Sequence, residues 1–369
     1  REGNGLHALG QVNYWLSRYE KMIESLEQAL TIYREDHDKS REGTTLGNLG
    51  IAYYALGRYE KALEYHEQLL AISREQKDRM REAAACNNLG LTYHALGRYE
   101  KAIEFAEQAL AIFREIKNRN GEGKTLGTLG AAYQAQGRYE KAIQSLEQNL
   151  AISREIGDHE DEGGTLASLG STYGSLGRYD KAIEYYEQSL TIARETKDQA
   201  NEGEALKGLA KAERNRGNPA RARILIEQSL RIAESLRSDL INPESRASFL
   251  ASVHSSYQFY TDLLMRQHQA EPTKGFDALA VETSERQRAR SLLDLLNEAH
   301  ADVRQGVDPA LIERERLLGR QLNDKAQQLA QTTKPEQAAA LKLEISGLEN
   351  DLERAQAAIR KANPRYAAL

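Results

Sequence analysis

Between residues 39 and 75 the apolar positions fall into two stripes separated by a glycine. Leu46, Leu49, Gly50 and Tyr53 recur three and four residues apart, a spacing that returns to one face of an α-helix and predicts a helix buried along that face. Ala62, Leu63, Leu69, Leu70 and Ile72 repeat the logic in a second helix. Gly57 stands between them, where a helix ends and the chain reverses at little steric cost. Gly50 sits inside the first stripe, and its missing side chain permits close approach of two helices at a propensity cost of about 1 kcal/mol.

This two-helix unit returns with a period of about 40 residues. Leu-Gly recurs at Leu9-Gly10, Leu49-Gly50, Leu89-Gly90, Leu129-Gly130 and Leu169-Gly170, and Gly-Arg-Tyr turns at Gly57, Gly97, Gly137 and Gly177. The first copy carries Ser17-Arg18-Tyr19 instead, and a sixth, decayed copy carries Gly217-Asn218-Pro219. Such an array predicts an all-α solenoid over residues 1–237, each unit packing on its neighbours.

At about 100° per residue, Thr44, Gly47, Asn48, Ile51 and Ala55 point away from the buried stripe, with Tyr54 at its edge. The matching positions vary from copy to copy: Asn88, Leu91 and His94, then Lys124, Thr128 and Gln134, then Ser168, Ser171 and Gly174, then Lys207, Lys211 and Arg214. The wall they predict changes from amide and aromatic to basic. An amide offers a donor and an acceptor together, which suits an extended peptide backbone. A helical Asn is ordinarily just solvated, but Asn48 and Asn88 share one slot in successive copies, which makes them candidate contacts. Tyr19, Tyr59, Tyr99, Tyr139 and Tyr179 read as packing residues at the start of each second helix.

After Leu236 the period stops. Asn242-Pro243-Glu244 reads as a helix start, with an Asn cap, Pro at the first helical position and an acid following. That helix should run to about Ala270, where Pro272 and Gly275 break it. Another from Phe276 carries Arg286, Arg288 and Arg290, then Leu292, Leu293, Leu295 and Leu296. The pair, within residues 238–305, is expected to cap the apolar end of the solenoid. Asp308-Pro309 opens a further helix, and Lys334-Pro335 separates it from a last one. Leu341, Ile345, Leu348, Leu352, Ala355 and Ile359 form a coiled-coil seam that Leu311, Leu318, Leu322 and Leu329 can face. The short break favours an antiparallel hairpin over residues 306–369, and hence a monomer, with pairing between chains as the alternative.

These residues resemble known families. Leu46, Leu49-Gly50, Tyr53, Gly57, Tyr59 and Ala62 match the tetratricopeptide pattern, and the long period resembles the branch of kinesin-light-chain and Pins-type adaptors. The resemblance implies a right-handed superhelix of two-helix repeats, whose concave wall, lined by the first helix of each, binds a peptide or protein. Farther on, Ser284-Glu285-Arg286-Gln287-Arg288-Ala289-Arg290-Ser291-Leu292-Leu293-Asp294-Leu295-Leu296, then Gly306-Val307-Asp308-Pro309 and Asn363-Pro364-Arg365-Tyr366-Ala367-Ala368-Leu369, are similar to the connector of bacterial, often cyanobacterial, CHAT proteins. There tetratricopeptide repeats precede a caspase-like domain with a His/Cys dyad. Such a domain would begin after Leu369, and Arg1-Glu2-Gly3 stands in register with Arg41-Glu42-Gly43, so both ends read as cuts in a longer protein.

Composition narrows the chemistry. Net charge is −5 with acids and bases interleaved, which gives no bulk nucleic-acid surface. No apolar run approaches the roughly 18 residues of a membrane span, and no signal segment opens the chain, so it reads as cytoplasmic. Cys86, the single cysteine, lies near His94 like a nucleophile and its base. It nevertheless occupies the slot of Leu46, Leu126, Leu166 and Leu206, which predicts a core residue. Gly121-Glu122-Gly123-Lys124-Thr125 lacks the glycine at 118 and the preceding strand that a phosphate loop requires. The arginines at 286, 288 and 290 read as a solvated face. The eight histidines show no metal-ligand spacing. The expectation is a peptide-binding scaffold without catalytic residues, cofactor or metal.

Overall fold

The computed structural model describes residues 2–15, 18–239, 243–285, 288, 308–331 and 335–362. The described residues are helical apart from short turns, with no strand among them. Six helix pairs follow one another. They are α1 (Glu2–Trp15) with α2 (Tyr19–Glu35), α3 (Lys39–Ala55) with α4 (Tyr59–Glu75), α5 (Arg79–Ala95) with α6 (Tyr99–Glu115), α7 (Arg119–Ala135) with α8 (Tyr139–Ile156), α9 (His159–Ser175) with α10 (Tyr179–Glu195), and α11 (Gln199–Arg216) with α12 (Pro219–Asp239). Odd-numbered members are called A helices below, even-numbered ones B helices.

The turns explain the regularity. Between A and B, Gly57, Gly97, Gly137 and Gly177 adopt φ of +70° to +73°. The next amide closes back onto the helix, as Arg58 N–H does onto the Tyr53 carbonyl at 2.9 Å, and this left-handed cap ends the helix without a steric penalty. Between B and A, an Asp or Asn side chain caps each new helix: Asp38, Asp78, Asn118, Asp158 and Asp198 accept from the amide three residues on at 2.8–3.0 Å. Before those caps the chain again turns left-handed, at His37, Lys77, Lys117 and Lys197, while the fourth copy places Gly157 there.

A left-handed side-chain-bearing residue costs about 1–2 kcal/mol, partly offset because glycine loses more entropy on folding. Replacing Lys117, at φ +55°, by Gly should therefore raise stability by about 0.5–1 kcal/mol. A melting temperature no higher than that of the parent chain would contradict the account.

The buried stripes assemble into one ribbon of core. Leu46, Cys86, Leu126, Leu166 and Leu206 are 0–2% exposed, and Leu49, Leu89, Leu129, Leu169 and Leu209 are 0–3%. The A helices from α1 to α9 pack on their own B helices, those from α3 to α11 pack on the preceding one, Ser229 of α12 donates to the Gly203 carbonyl of α11, and the A helices from α3 to α11 also touch successively. Spacing on that side is therefore the closer, which makes it the inner wall of the curve.

A polar ladder fixes one repeat against the next. Arg34, Arg74, Arg114, Arg154 and Arg194 at the ends of B helices pair with Glu42, Glu82, Glu122, Glu162 and Glu202 in the following A helices at 2.7–3.0 Å. The first four arginines also reach Gln68, Gln108, Gln148 and Gln188 in the B helix beyond. Burial pushes the Glu42, Glu82 and Glu122 carboxyls up, but hydrogen bonds from two cations each outweigh it and leave all three below the usual carboxylate range.

Beyond the repeats, α13 (Pro243–Ala270) ends before Pro272 as expected, and helix resumes at 276 as α14 (276–285). Residues 262–271 cluster with residues 1–236 as one compact unit, in which Leu263 and Leu264 are 1% and 0% exposed. The second unit comprises residues 237–261 and 272–369. In it α15 (Pro309–Gln331) packs on α16 (Pro335–Ala362), and Lys325 Nζ meets Glu344 Oε2 at 2.5 Å. Of the two seams, Leu318, Ala355 and Ile359 are buried. The arginines at 286 and 290, the leucines at 292–296 and most of the connector-like segments lie outside the described residues, as does the side chain of Leu329.

Candidate binding groove

The inner wall is built from the A-helix positions that the stripe leaves uncovered. Thr44, Ile51, Ala55, Lys124 and Lys211 are exposed there, and Asn48, Tyr54, Asn88, His94, Gln134, Lys207 and Arg214 are half-buried. Two expected wall positions are not on the surface. Gly47 is buried, with Leu69 3.3 Å from where its Cβ would stand, and Thr128 is 5% exposed and donates to Asn87 at 3.1 Å. Both face a neighbouring helix across the seam, which the periodicity of a single helix does not register.

Most of the polar wall residues are held by neighbours. Asn48 Nδ2 lies 3.4 Å from His7 Nε2, and Thr45 Oγ1 lies 3.3 Å from the other ring nitrogen, so His7 bridges α1 to α3. Burial lowers the His7 pKa, which keeps the ring neutral and able to accept. The Tyr54 and His94 rings rest tilted on Tyr59 and Tyr99, at 5.4 and 5.5 Å between centroids. Burial also lowers the His94 pKa, partly countered by a backbone hydrogen bond at Ala131. Gln134 Nε2 donates to Ser171 Oγ at 2.9 Å across the α7–α9 seam. The Thr92 hydroxyl donates to the main-chain carbonyl of Asn88 at 2.7 Å, a bond within α5 that does not engage the Asn88 side chain.

Toward α11 the wall becomes cationic. Lys207 Nζ pairs with Glu204 at 2.5 Å, and Arg214 Nε donates to Asn215 at 3.1 Å. Lys211 has no ion pair among the described residues. Burial lowers its pKa first, then Lys207 and Arg214, with Glu204 acting against them.

The other chemically suggestive residues fall into the scaffold. Cys86 is 0% exposed and burial pushes its thiol up to about 11, far from the thiolate a nucleophile requires. Residues 121–125 lie in the first turns of α7, and a Cβ on Gly121 would stand 2.4 Å from the Phe113 ring. Among the described residues no three His, Cys, Asp or Glu side chains converge as metal ligands.

The geometry of paired helices closing on a small residue, with the A helices from α3 to α9 each seated between two B helices, agrees with sequence comparison. The tetratricopeptide repeat model matches residues 2–75, 42–115, 80–155, 121–195 and 161–235. The chain belongs to the tetratricopeptide repeat family. No curated protein matches it in sequence. Among solved structures it is similar to the STAND protein PH0952 with a tetratricopeptide repeat sensor from Pyrococcus horikoshii, at 20% identity and TM-score 0.61, over 80% of this chain and 44% of that one. It is also similar to BtubC (BKLC) from P. vanneervenii, at 20% and 0.53 over 61% and 94%, and to the quorum sensor NprR from B. thuringiensis, at 19% and 0.51 over 75% and 86%. At these identities the likeness establishes a shared tetratricopeptide fold.

Sequence reading missed two features of these tetratricopeptide repeats. One is the Arg–Glu ladder, whose signal was present as Arg34 and Glu42 both recurring with the period. The other is Tyr186, a B-helix residue that reaches the A-helix wall and that no single-helix projection would place there.

Proposed function

We propose that this chain is a protein-interaction scaffold that holds an extended segment of a partner along the inner wall of its tetratricopeptide repeats. The observation that carries this is the contrast within one helix face: the packing slots repeat, whereas the wall slots change from Asn48, Tyr54, Asn88 and His94, through Lys124 and Gln134, to Lys207, Lys211 and Arg214. A wall needed only for packing would repeat like the stripe behind it. The scaffold itself performs no catalysis, a reading that the burial of Cys86 supports. It works in the cytoplasm as a monomer, with α15 and α16 pairing within one chain.

We place the scaffold as the regulatory region of a CHAT-type caspase-like protease, on the strength of the connector-like residues 284–296, 306–309 and 363–369. A stand-alone adaptor is the second reading. The coding sequence after Leu369 separates the two, since a caspase-like domain with its His and Cys supports the first and a stop codon the second. The groove itself is tested by titrating peptides selected from a random library. Replacing Asn48 and Asn88 together by Ala should weaken binding by about one to two powers of ten, if each amide contributes about 0.5–1.5 kcal/mol. Unchanged affinity would remove that end of the wall from the site.

A further inference from the structure

Near the N-terminal ends of α3 and α5 the array fills a gap with a side chain of its own. Arg81 of α5 reaches across to α3, where its Nη1 lies 3.5 Å from the place a Cβ on Gly43 would take and its Nη2 donates to Ser40 Oγ at 2.9 Å. Its Nε stands 3.4 Å from Asp78 Oδ2, and Leu69 of α4 forms the floor, 3.6 Å from the same Cβ position. Two repeats on, the register keeps the gap and changes its contents. Gly123 takes the place of Gly43, Asn120 that of Ser40 and Asp158 that of Asp78, but Asp161 stands for Arg81 and Asn149 for Leu69. The slots that surround a guanidinium between α3 and α5 thus hold acceptors, and no cation, between α7 and α9.

Asn149 is 1% exposed, and only half of its amide is satisfied. Nδ2 donates to Thr165 Oγ1 of α9 at 2.7 Å, whereas Oδ1 has no hydrogen-bond partner and is aimed at Gly123, 2.8 Å from where a Cβ would stand. A buried acceptor of this kind destabilises the free protein and gains from any donor that reaches it. Asp161 is half-buried, and three residues on along the same helix face a Cβ on Gly164 would meet nothing within 4 Å, so the approach across α9 is open. Glu155 and Glu162 are engaged by Arg119 and Arg154. Asp158, Glu160 and Asp161 have no ion pair among the described residues. Burial raises the Asp161 pKa, with Asp158 and Glu160 adding to it and Asn149 and Lys124 acting against it. A carboxylate desolvated without a cation is improved by the arrival of one.

We propose that the gap between α7 and α9 is a socket for the guanidinium of an arginine in the partner segment, with the Asp161 carboxylate and Asn149 Oδ1 as its acceptors. A planar fork of donors serves a carboxylate and a carbonyl oxygen together, which a lysine ammonium does less well. The socket rests on the reading of the inner wall as a peptide groove, and its test separates the two. Random peptides, acetylated and amidated so that only side chains carry charge, are selected on the full chain and titrated against it. The binders are expected to share an arginine, and Asp161→Asn and Asn149→Leu should each weaken them about tenfold. Replacing that arginine by citrulline, which keeps the shape and loses the charge, should weaken binding to the parent about tenfold and leave Asp161→Asn with no further effect. Leu already forms this floor as Leu69 beneath Gly43, so the melting temperature of Asn149→Leu should not fall, and Asp161→Asn decides alone if it does. Binders without a shared arginine, or equal affinity for both variants alongside a loss with Asn48→Ala and Asn88→Ala, overturn the socket and leave the groove standing. An effect of Asp161→Asn that survives the citrulline exchange overturns the socket as well. Binders indifferent to all four substitutions overturn both.

Discussion

In the 369-residue chain, replacing Leu89 by Ala is expected to cost about 3 kcal/mol, whereas the same change at Leu9, which no preceding B helix covers among the described elements, should cost less than about 0.5 kcal/mol. The two residues occupy the same slot of the repeat. Leu89 is 0% exposed because the A helix α5 is clasped between α4 and α6, whereas Leu9 is 51% exposed on α1, which has a B helix on one side only among the described elements. Truncating Leu89 leaves a cavity between three helices as well as losing transfer energy. Because contacts in a repeat array run between neighbours, the damage should be local. Hydrogen exchange should show faster opening of α4, α5 and α6 in the Leu89 variant, with α9 to α12 close to the parent. Equal losses at the two positions, or uniform loss of protection along the array, would refute this picture.

A second large effect is expected on acidification. His66 is 1% exposed, its Nδ1 has no hydrogen-bond partner, and burial drives its pKa down to about 4 from 6.5. Below pH 6.5 the unfolded chain binds a proton that the folded chain refuses until about pH 4. The unfolded state therefore gains protons first, and stability falls as pH falls through that window. A shift of this size corresponds to roughly 3 kcal/mol between the two limits. The Glu carboxylates of the ladder stay ionised below their usual range, so their loss comes at lower pH. Replacing His66 by Leu should stabilise the protein at neutral pH by about 1–2 kcal/mol, because an orphaned polar atom leaves the core. It should also flatten the decline between pH 6.5 and 4. Leu is already accommodated in this slot as Leu26 and Leu146, each against a glycine. Denaturant titrations at several pH values decide it, and a variant that loses stability as steeply as the parent over that window would defeat the assignment to His66.

The helices themselves were legible because both their periodicity and their punctuation are local. Leu46, Leu49, Gly50 and Tyr53 announced a face, Gly57 and Asp38 the ends, and Cys86 declared itself a core residue by standing in a leucine slot. The wall was legible only in outline. Projection of one helix put Gly47 and Thr128 on the surface, whereas Leu69 of α4 lies against the first and Asn87 of α5 against the second. It could not find Tyr186 at all, because that residue belongs to another layer and reaches the wall only where Gly170 and Gly208 both yield.

The division follows from the range of the forces involved. Sequence by itself determined the all-helical two-helix repeat, its register and its caps, since hydrogen bonds and apolar spacing within about 40 residues fix them. Only the tertiary structure decided which side of each A helix faces its neighbour and that Leu9 differs from Leu89. It likewise decided how Arg34 and Glu42 lock consecutive repeats. Those outcomes depend on where a second and third helix come to rest, and identical residues in identical slots acquire different energies from that placement alone.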